Sequence, residues 1–165
     1  MRLSLTKDPG TAGGENTIAH ELEDGTTLAW TLAEDAPEGA LMSEEVDLGD
    51  GAWIMRLDRI DFDPGGIAYR HTHPGPGIRY LLFGEITIDS EGEQHTYGPG
   101  EPWFERGPDP VLATTKADEP SAFIRVLVLP EEWAGKRTIR YVDPSDAEKP
   151  KTQRPTVHLE QPVVR

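Results

Sequence analysis

Glycine and proline interrupt this chain so often that no long helix can form. The 165 residues include 17 glycines and 15 prolines, and each of these inside a helix costs roughly 1 to 3 kcal/mol relative to alanine. Short β-like runs lie between the breaks, and Asp24-Gly25 separates two of them, which is typical of a hairpin. Many short strands at this spacing predict an all-β sandwich or barrel.

The further predicted strands are bounded by turns rich in glycine and proline. They cover residues 54–62, 67–73, 78–83, 85–89, 93–97, 102–106, 110–115, 122–129, 138–142 and 156–160. From Ile54 the chain mixes apolar and charged residues at a period near two, which predicts a strand buried on one face. Helices are predicted to be single turns at most, as at residues 130–134.

The chain length suits one domain with an extension at each end. Residues 1–15 are glycine, proline and polar side chains and predict a flexible segment; residues 16–130 predict the barrel; residues 131–165 predict a C-terminal extension. The extension holds seven basic and six acidic residues, whereas residues 1–130 hold nine and 24. Two alternatives stay open for it: packing along its own barrel, or exchange of a strand with a second subunit in a homodimer.

Composition excludes several partners and cofactors. The net charge of −14 disfavours nucleic acid and anionic lipid, and the absence of cysteine excludes disulfides and thiolate metal sites. The sequence has no stretch of about 20 apolar residues and no apolar run behind its first basic residues, so we expect no membrane span and a cytoplasmic location. It also has no glycine-rich phosphate loop, so neither a nucleotide nor a flavin is expected.

His71 and His73 are the pair of histidines that carries chemical meaning. Residues two apart on a strand point to the same face, so the two imidazoles can converge on one ion. Neutral imidazole nitrogens are common ligands of divalent metals. The same pair also arises by chance on polar strand faces.

The segment around this pair resembles the first signature of the cupin family, which consists of small jelly-roll β-barrels. That signature spaces a glycine, a His-x-His pair, a glutamate and a second glycine, and Gly65, His71, His73 and Gly84 fall at its positions. The resemblance covers roughly residues 45–130. It implies a cupin-like jelly-roll barrel, with a small-molecule site in its interior and His71 and His73 as metal ligands.

The sequence departs from the family at two ligand positions. Gly77 stands where the family's metal-binding glutamate is expected. In the second signature, either Pro110 or Val111 takes the place of the histidine, depending on which glycine is aligned. These departures leave the fold expectation intact and weaken the metal expectation.

Other residues are candidates for completing the site. Glu105 is the nearest carboxylate for a two-histidine, one-carboxylate site, which would suit a divalent Fe, Mn, Zn or Ni ion, but it could equally be a solvated acid on a turn. Arg79 is predicted to face inward, paired either with an internal acid such as Glu105 or with a ligand carboxylate. The remaining predicted substrate contacts are Tyr69, Trp103 and Arg125.

Three functions follow as hypotheses. The first is a metal-dependent enzyme acting on a small carboxylated or phenolic molecule, such as an oxygenase, isomerase or cyclase. The second is a non-catalytic binding protein or sensor that has lost the metal. The third is an assembly module with an incidental cavity.

Overall fold

The computed structural model describes all 165 residues, and strands dominate it. The strands are β1 (Arg2–Lys7), β2 (Thr17–Glu21), β3 (Thr27–Ala33), β4 (Met42–Glu45), β5 (Trp53–Phe62), β6 (Ile67–Thr72), β7 (Gly77–Phe83), β8 (Ile86–Ser90), β9 (Glu93–Tyr97), β10 (Pro102–Glu105), β11 (Val111–Thr115), β12 (Ser121–Pro130), β13 (Arg140–Tyr141) and β14 (Gln153–Pro162). The helical content is two 3-10 turns, Glu131–Trp133 and Pro144–Glu148. Neither is long or apolar enough to cross a membrane.

Strands β5 to β12 form a jelly roll. Apart from the β8–β9 hairpin, which lies within one sheet, successive strands alternate between two antiparallel sheets, one ordered β10-β7-β12-β5 and the other β6-β11-β8-β9. This is the strand order of a double-sheet jelly roll built from two Greek keys. The structure therefore confirms the predicted all-β, cupin-like fold class, including the hairpin around Asp24-Gly25.

The N-terminal residues form a third layer. Strands β2, β3, β1 and β4 make a sheet of their own, and its apolar face packs with outward-facing residues of β5, β7 and β12 in one core cluster. Leu3 and Leu5 are fully buried there, and Trp30 Nε1 donates a hydrogen bond to the carbonyl of Ile78. The expectation that residues 1–15 are a flexible segment is thus wrong for β1, because two leucines in alternation anchor it to the barrel.

This third layer also changes the interpretation of β5. The alternation along β5 predicts a strand with one solvated face, but Arg56 and Asp58 are each only 2% exposed. Met55 and Leu57 pack under the N-terminal sheet, while the two charged side chains lie inside the barrel. The strand is buried on both faces.

The C-terminal extension packs on its own barrel. Strand β14 pairs with the edge of β5, and β13 pairs with β6, so the extension adds one strand to each sheet of the jelly roll. Residues 134–139, between the first 3-10 turn and β13, have no regular structure. This is the first of the two expected arrangements; exchange with a second subunit and a homodimer stay predictions.

The anchoring of β1 generates a stability prediction. Leu5→Ala removes a fully buried side chain from the interlayer core, so we expect a loss of about 2 to 5 kcal/mol in the free energy of unfolding. Leu41→Ala is the matched control because that leucine is 47% exposed, and we expect a change within about 0.5 kcal/mol. Urea denaturation measures both, and equal small effects would contradict the packed N-terminal layer.

Candidate functional site

A cavity of about 350 Å³ lies between the two sheets of the jelly roll. One part of its wall is apolar and the other holds histidine, arginine and acidic side chains. The apolar residues of the barrel wall are Ile60, Phe62, Ala68, Ile88, Ala113 and Phe123. The C-terminal extension also contributes to the wall, through residues 135–139, Lys151 and residues 153, 155, 157 and 160 of β14. Residues 135–139 are called the strap below.

Arg125 and Asp58 form an ion pair at the centre of the polar wall. They face each other across β12 and β5, and Arg125 Nε and Nη2 donate to the two carboxylate oxygens of Asp58 at 2.6 and 3.1 Å. Both residues are at least 95% buried. A bidentate geometry of this kind is the arrangement in which a buried arginine is best compensated.

His73 connects this ion pair to the strap. Arg125 Nη1 donates to His73 Nε2 at 3.3 Å, and a guanidinium has no acceptor, so Nε2 carries no proton. His73 Nδ1 therefore carries the proton and donates to the hydroxyl of Thr138 at 3.1 Å. Thr138 is 5% exposed. The imidazole thus holds the strap against the barrel through one directed hydrogen bond.

His71 has a different pattern of contacts. Its Nδ1 lies 2.8 Å from the carbonyl of Tyr69, and because a carbonyl only accepts, Nδ1 is the protonated nitrogen. Its Nε2 has no hydrogen-bond partner in the protein, and the side chain lines the cavity. The two imidazole rings are 4.9 Å apart, edge to face. A neutral His71 therefore presents an unpaired acceptor nitrogen to the cavity.

Arg79 and Glu105 form a second buried pair. Arg79 is fully buried, and its Nη2 lies 2.7 Å from Glu105 Oε2. The angle of this contact is not that of a hydrogen bond, so the attraction is Coulombic, while Nη1 donates to the carbonyl of Gly77. Trp103 Nε1 donates to the other oxygen, Oε1, at 2.9 Å. Of the two expected partners of Arg79, the internal acid is the one in contact.

Burial and these charges set the protonation of the site. Burial is the main cause of the lowered pKa of His71. The pKa of His73 lies well below its ordinary value, because the side chain is buried and because Arg125 is positively charged. Burial would raise the pKa of Glu105, but the charge of Arg79, that of His71 when it is protonated, and the Trp103 hydrogen bond outweigh it, so its pKa is lowered. Burial lowers the pKa of Arg79 to about 10. Near neutral pH the site holds charged pairs and two neutral imidazoles.

These contacts do not fit a divalent metal. Both oxygens of Glu105 face donors, and Asp58 takes two hydrogen bonds from Arg125. His73 Nε2 faces a guanidinium rather than open space, and no group of three or more His, Asp or Glu side chains is placed to hold an ion. The predicted metal ligands His71, His73 and Glu105 do line one cavity. However, the Arg125 guanidinium contacts His73 and the Arg79 guanidinium contacts Glu105, where a metal ion would have to bind.

The packing around Gly77 leaves no room for the glutamate that the family motif places at this position. A Cβ at this position would lie 2.6 Å from the carbonyl oxygen of Val126 and 2.7 Å from a methyl group of Leu127. The position therefore has no room for a side chain unless β12 shifts. Glu105 is the register partner of Gly77 on β10 and places its carboxylate on the neighbouring strand instead.

Tyr69 and Trp103 do not line this cavity. One extra residue in β6 opposes β11, since His71 pairs with Val111 and Ala68 with Ala113. This bulge interrupts the alternation, so Ala68 rather than Tyr69 faces the interior with His71. The Tyr69 ring instead contacts Lys149 at 4.3 Å. Trp103 is buried against Tyr97 and Phe123 and reaches the site only through its bond to Glu105.

Sequence reasoning missed the residues that the extension and β5 bring to the site. Arg56 donates to Glu160 of β14 and to the carbonyls of Trp133 and Lys136 at the strap. The only signal for Arg56 and Asp58 was their shared face on β5, which the alternation assigned to solvent. Thr138 carried no signal, because its role depends on how the extension folds back.

The neutral histidines generate a pH prediction. In the unfolded chain they protonate below a pKa near 6.5, whereas the folded chain keeps them neutral to lower pH. The unfolded state then binds more protons, so stability is complete above about pH 6.5 and falls as the pH drops toward the folded pKa. We expect the Tm to decrease from about pH 7.5 to about pH 5, before most carboxylates protonate.

His73→Gln checks the source of that slope, because glutamine keeps one donor and one acceptor without a titrating ring. We expect a smaller decrease in Tm over the same pH range. His71, whose pKa is lowered chiefly by burial, and His20, whose pKa is lowered by burial and by His158 and Arg59, contribute the remainder. His95→Gln, on exposed β9, is the control and should keep the full slope. An unchanged slope in His73→Gln would contradict the assignment.

Comparisons with known proteins concern the fold. No protein-family model and no curated protein matches the sequence. Similar solved structures include the polyketide cyclase RemF from Streptomyces resistomycificus (22% identity, TM-score 0.45, 62% of this chain and 72% of that chain). An RmlC-like cupin from Shewanella frigidimarina (20%, 0.41, 53% and 86%) and a cupin-like protein from Thermotoga maritima (17%, 0.39, 59% and 73%) are also similar. By the order of its own strands, the chain has the jelly-roll fold that the histidine motif predicts.

Proposed function

We propose that the protein binds a small, mostly apolar molecule carrying a hydroxyl group, and that His71 Nε2 accepts the hydrogen bond of that hydroxyl. The observation that carries the proposal is the unpaired imidazole nitrogen of His71, which lies in the polar part of a cavity wall whose other part is apolar. Ligand sites of this kind combine apolar walls with a few placed polar groups. The cavity volume of about 350 Å³ suits a molecule of one or two rings.

The charges around His71 favour a hydroxyl over a carboxylate at this end of the cavity. The arginines in the barrel are already compensated: Arg125 by Asp58 and Arg79 by Glu105. Arg79 lies behind the carboxylate of Glu105 and is fully buried, so the expected grip on a ligand carboxylate has no free guanidinium there. A ligand carboxylate beside these two acids would be repelled, whereas a phenol or enol brings no charge into the cavity.

A catalytic role is the second candidate, and one contact favours it. The negative charge of Glu105 acts on the His71 imidazole in the direction that favours protonation, against the larger effect of burial. If His71 takes a proton from the ligand, the imidazolium that forms faces a carboxylate. Proton transfer of this kind serves isomerisation or cyclisation and needs only groups that the chain itself supplies. An oxygenase would need an oxygen-activating group, and we derive no such step.

Binding can be tested with a pair of ligands that differ only in the hydroxyl. We expect para-hydroxycinnamamide to bind more tightly than cinnamamide, by about fivefold to tenfold, since one hydrogen bond contributes roughly 1 kcal/mol. His71→Phe should remove that difference while leaving cinnamamide binding nearly unchanged, because the ring volume is kept. Isothermal titration calorimetry measures all four affinities, with His95→Gln as the control. Equal affinities of the two compounds for the native protein would overturn the role of His71.

Metal content tests the alternative of a metal-dependent enzyme. In protein purified without added metal, we expect iron, manganese, zinc and nickel together to be far below one ion per chain, since Arg125 faces His73 and Arg79 faces Glu105. Mass-spectrometric metal analysis measures this. A stoichiometric ion that disappears in the His71→Ala, His73→Ala double variant would instead support a metal site on the two histidines.

A further inference from the structure

Arg137, on the strap, is the arginine that the protein leaves without a partner. Its exposed side chain lines the cavity and makes no hydrogen bond, ion pair or contact with an aromatic ring. Every other arginine of the chain makes at least one such contact. In a protein with 30 acidic and 16 basic side chains, an arginine at the cavity with no ion pair, hydrogen bond or ring contact calls for an explanation.

We infer that Arg137 binds a carboxylate of the ligand at the opening of the cavity. This rests on the proposed function, and it adds the second polar group of the same molecule. The ligand is then a hydroxylated carboxylic acid with an apolar body: its hydroxyl lies at His71, its body along the apolar wall, and its carboxylate at the strap. A planar guanidinium matches a carboxylate with two parallel hydrogen bonds, which a lysine cannot do.

The backbone around Arg137 is anchored on both sides. Before it, Arg56 donates to the carbonyl of Lys136 at 2.8 Å and to that of Trp133 at 2.7 Å. After it, Thr138 is buried and bonded to His73 at 3.1 Å. Buried side chains of the barrel therefore hold the residues that flank Arg137. Such a frame reduces the entropy lost when the guanidinium binds a ligand.

Charge at the opening favours an anion there and not deeper in the cavity. Lys136 lies next to Arg137 and also lines the cavity, and the acid closest in the wall of the extension, Glu160, is already paired with Arg56. Deeper in the barrel, Asp58 and Glu105 lie beside His71 and His73 in the same wall. The cavity thus has an electropositive opening and an interior whose charges cancel.

The test uses two ligands that differ in charge but share the ring and hydroxyl. We expect para-hydroxycinnamate to bind the native protein about fivefold more tightly than its neutral amide, para-hydroxycinnamamide, as for a partly exposed ion pair. Arg137→Gln should abolish this preference and leave the affinity for the amide unchanged. Arg137→Lys should restore only part of it. Arg106→Gln, an exposed arginine outside this cavity, makes the same change in net charge and should keep the full preference.

Ionic strength and inorganic phosphate complete the experiment. The preference for the acid should shrink when the salt concentration rises from about 0.02 M to about 0.5 M, because the contact is partly exposed. Phosphate should compete with the acid only weakly, since it lacks the apolar body. If the acid and the amide bind the native protein equally, or if Arg106→Gln loses the preference as Arg137→Gln does, the inference is wrong.

The outcome separates this inference from the function on which it rests. Failure of the inference alone leaves the amide bound and dependent on His71. Failure of the proposed function removes binding of the amide itself or its dependence on His71.

Discussion

Asp58 and Arg125 bring opposite charges together inside the barrel, and the arrangement of the cavity depends on that pair. The bidentate contact compensates a guanidinium that is 5% exposed. Removing one partner of such a pair leaves a buried charge and costs about 3 to 5 kcal/mol. Arg125 Nη1 also donates to His73 and so fixes its tautomer. His73 in turn donates a hydrogen bond to Thr138. The ion pair thus sets the position of the strap, although the strap is far from it in sequence.

Pairing of charges also determines what the interior can bind. Three buried arginines lie in or beside the interior wall of the cavity, and each has one acid: Arg56 with Glu160, Arg79 with Glu105 and Arg125 with Asp58. Because these charges cancel locally and both imidazoles are neutral, the interior is polar without a net charge that attracts ions. The guanidinium groups take the cationic positions that a metal would otherwise hold between carboxylates and imidazoles. A neutral polar group of a ligand is then the species that the interior accepts at least cost.

The fold and part of the site could be predicted from the sequence, and the limits have physical causes. The resemblance carried by Gly65, His71, His73 and Gly84 implied the jelly roll, and the same resemblance, extended along the strand by alternation from position 77, implied that Arg79 faces inward. Alternation shows which side chains share a face of a strand, but not what covers that face. The charged residues of β5 were therefore assigned to solvent, although the N-terminal sheet covers the opposite face and turns them inward. The bulge that turns Tyr69 away is likewise a property of the pairing of two strands.

The uneven distribution of charge along the sequence places basic residues at the strap. Of the 30 acidic residues, 24 lie before residue 131, and the near-neutral extension folds back to place Lys136, Arg137 and Lys151 around the opening of the cavity. At physiological salt, charges on the surface act over about 8 Å. An anion at the opening therefore interacts with the cations of the strap, while most of the acidic surface is screened from it. A protein with a net charge of −14 can in this way offer a local site for an anion. The position of a few cations that have no acidic partner matters more than the net charge of the whole chain.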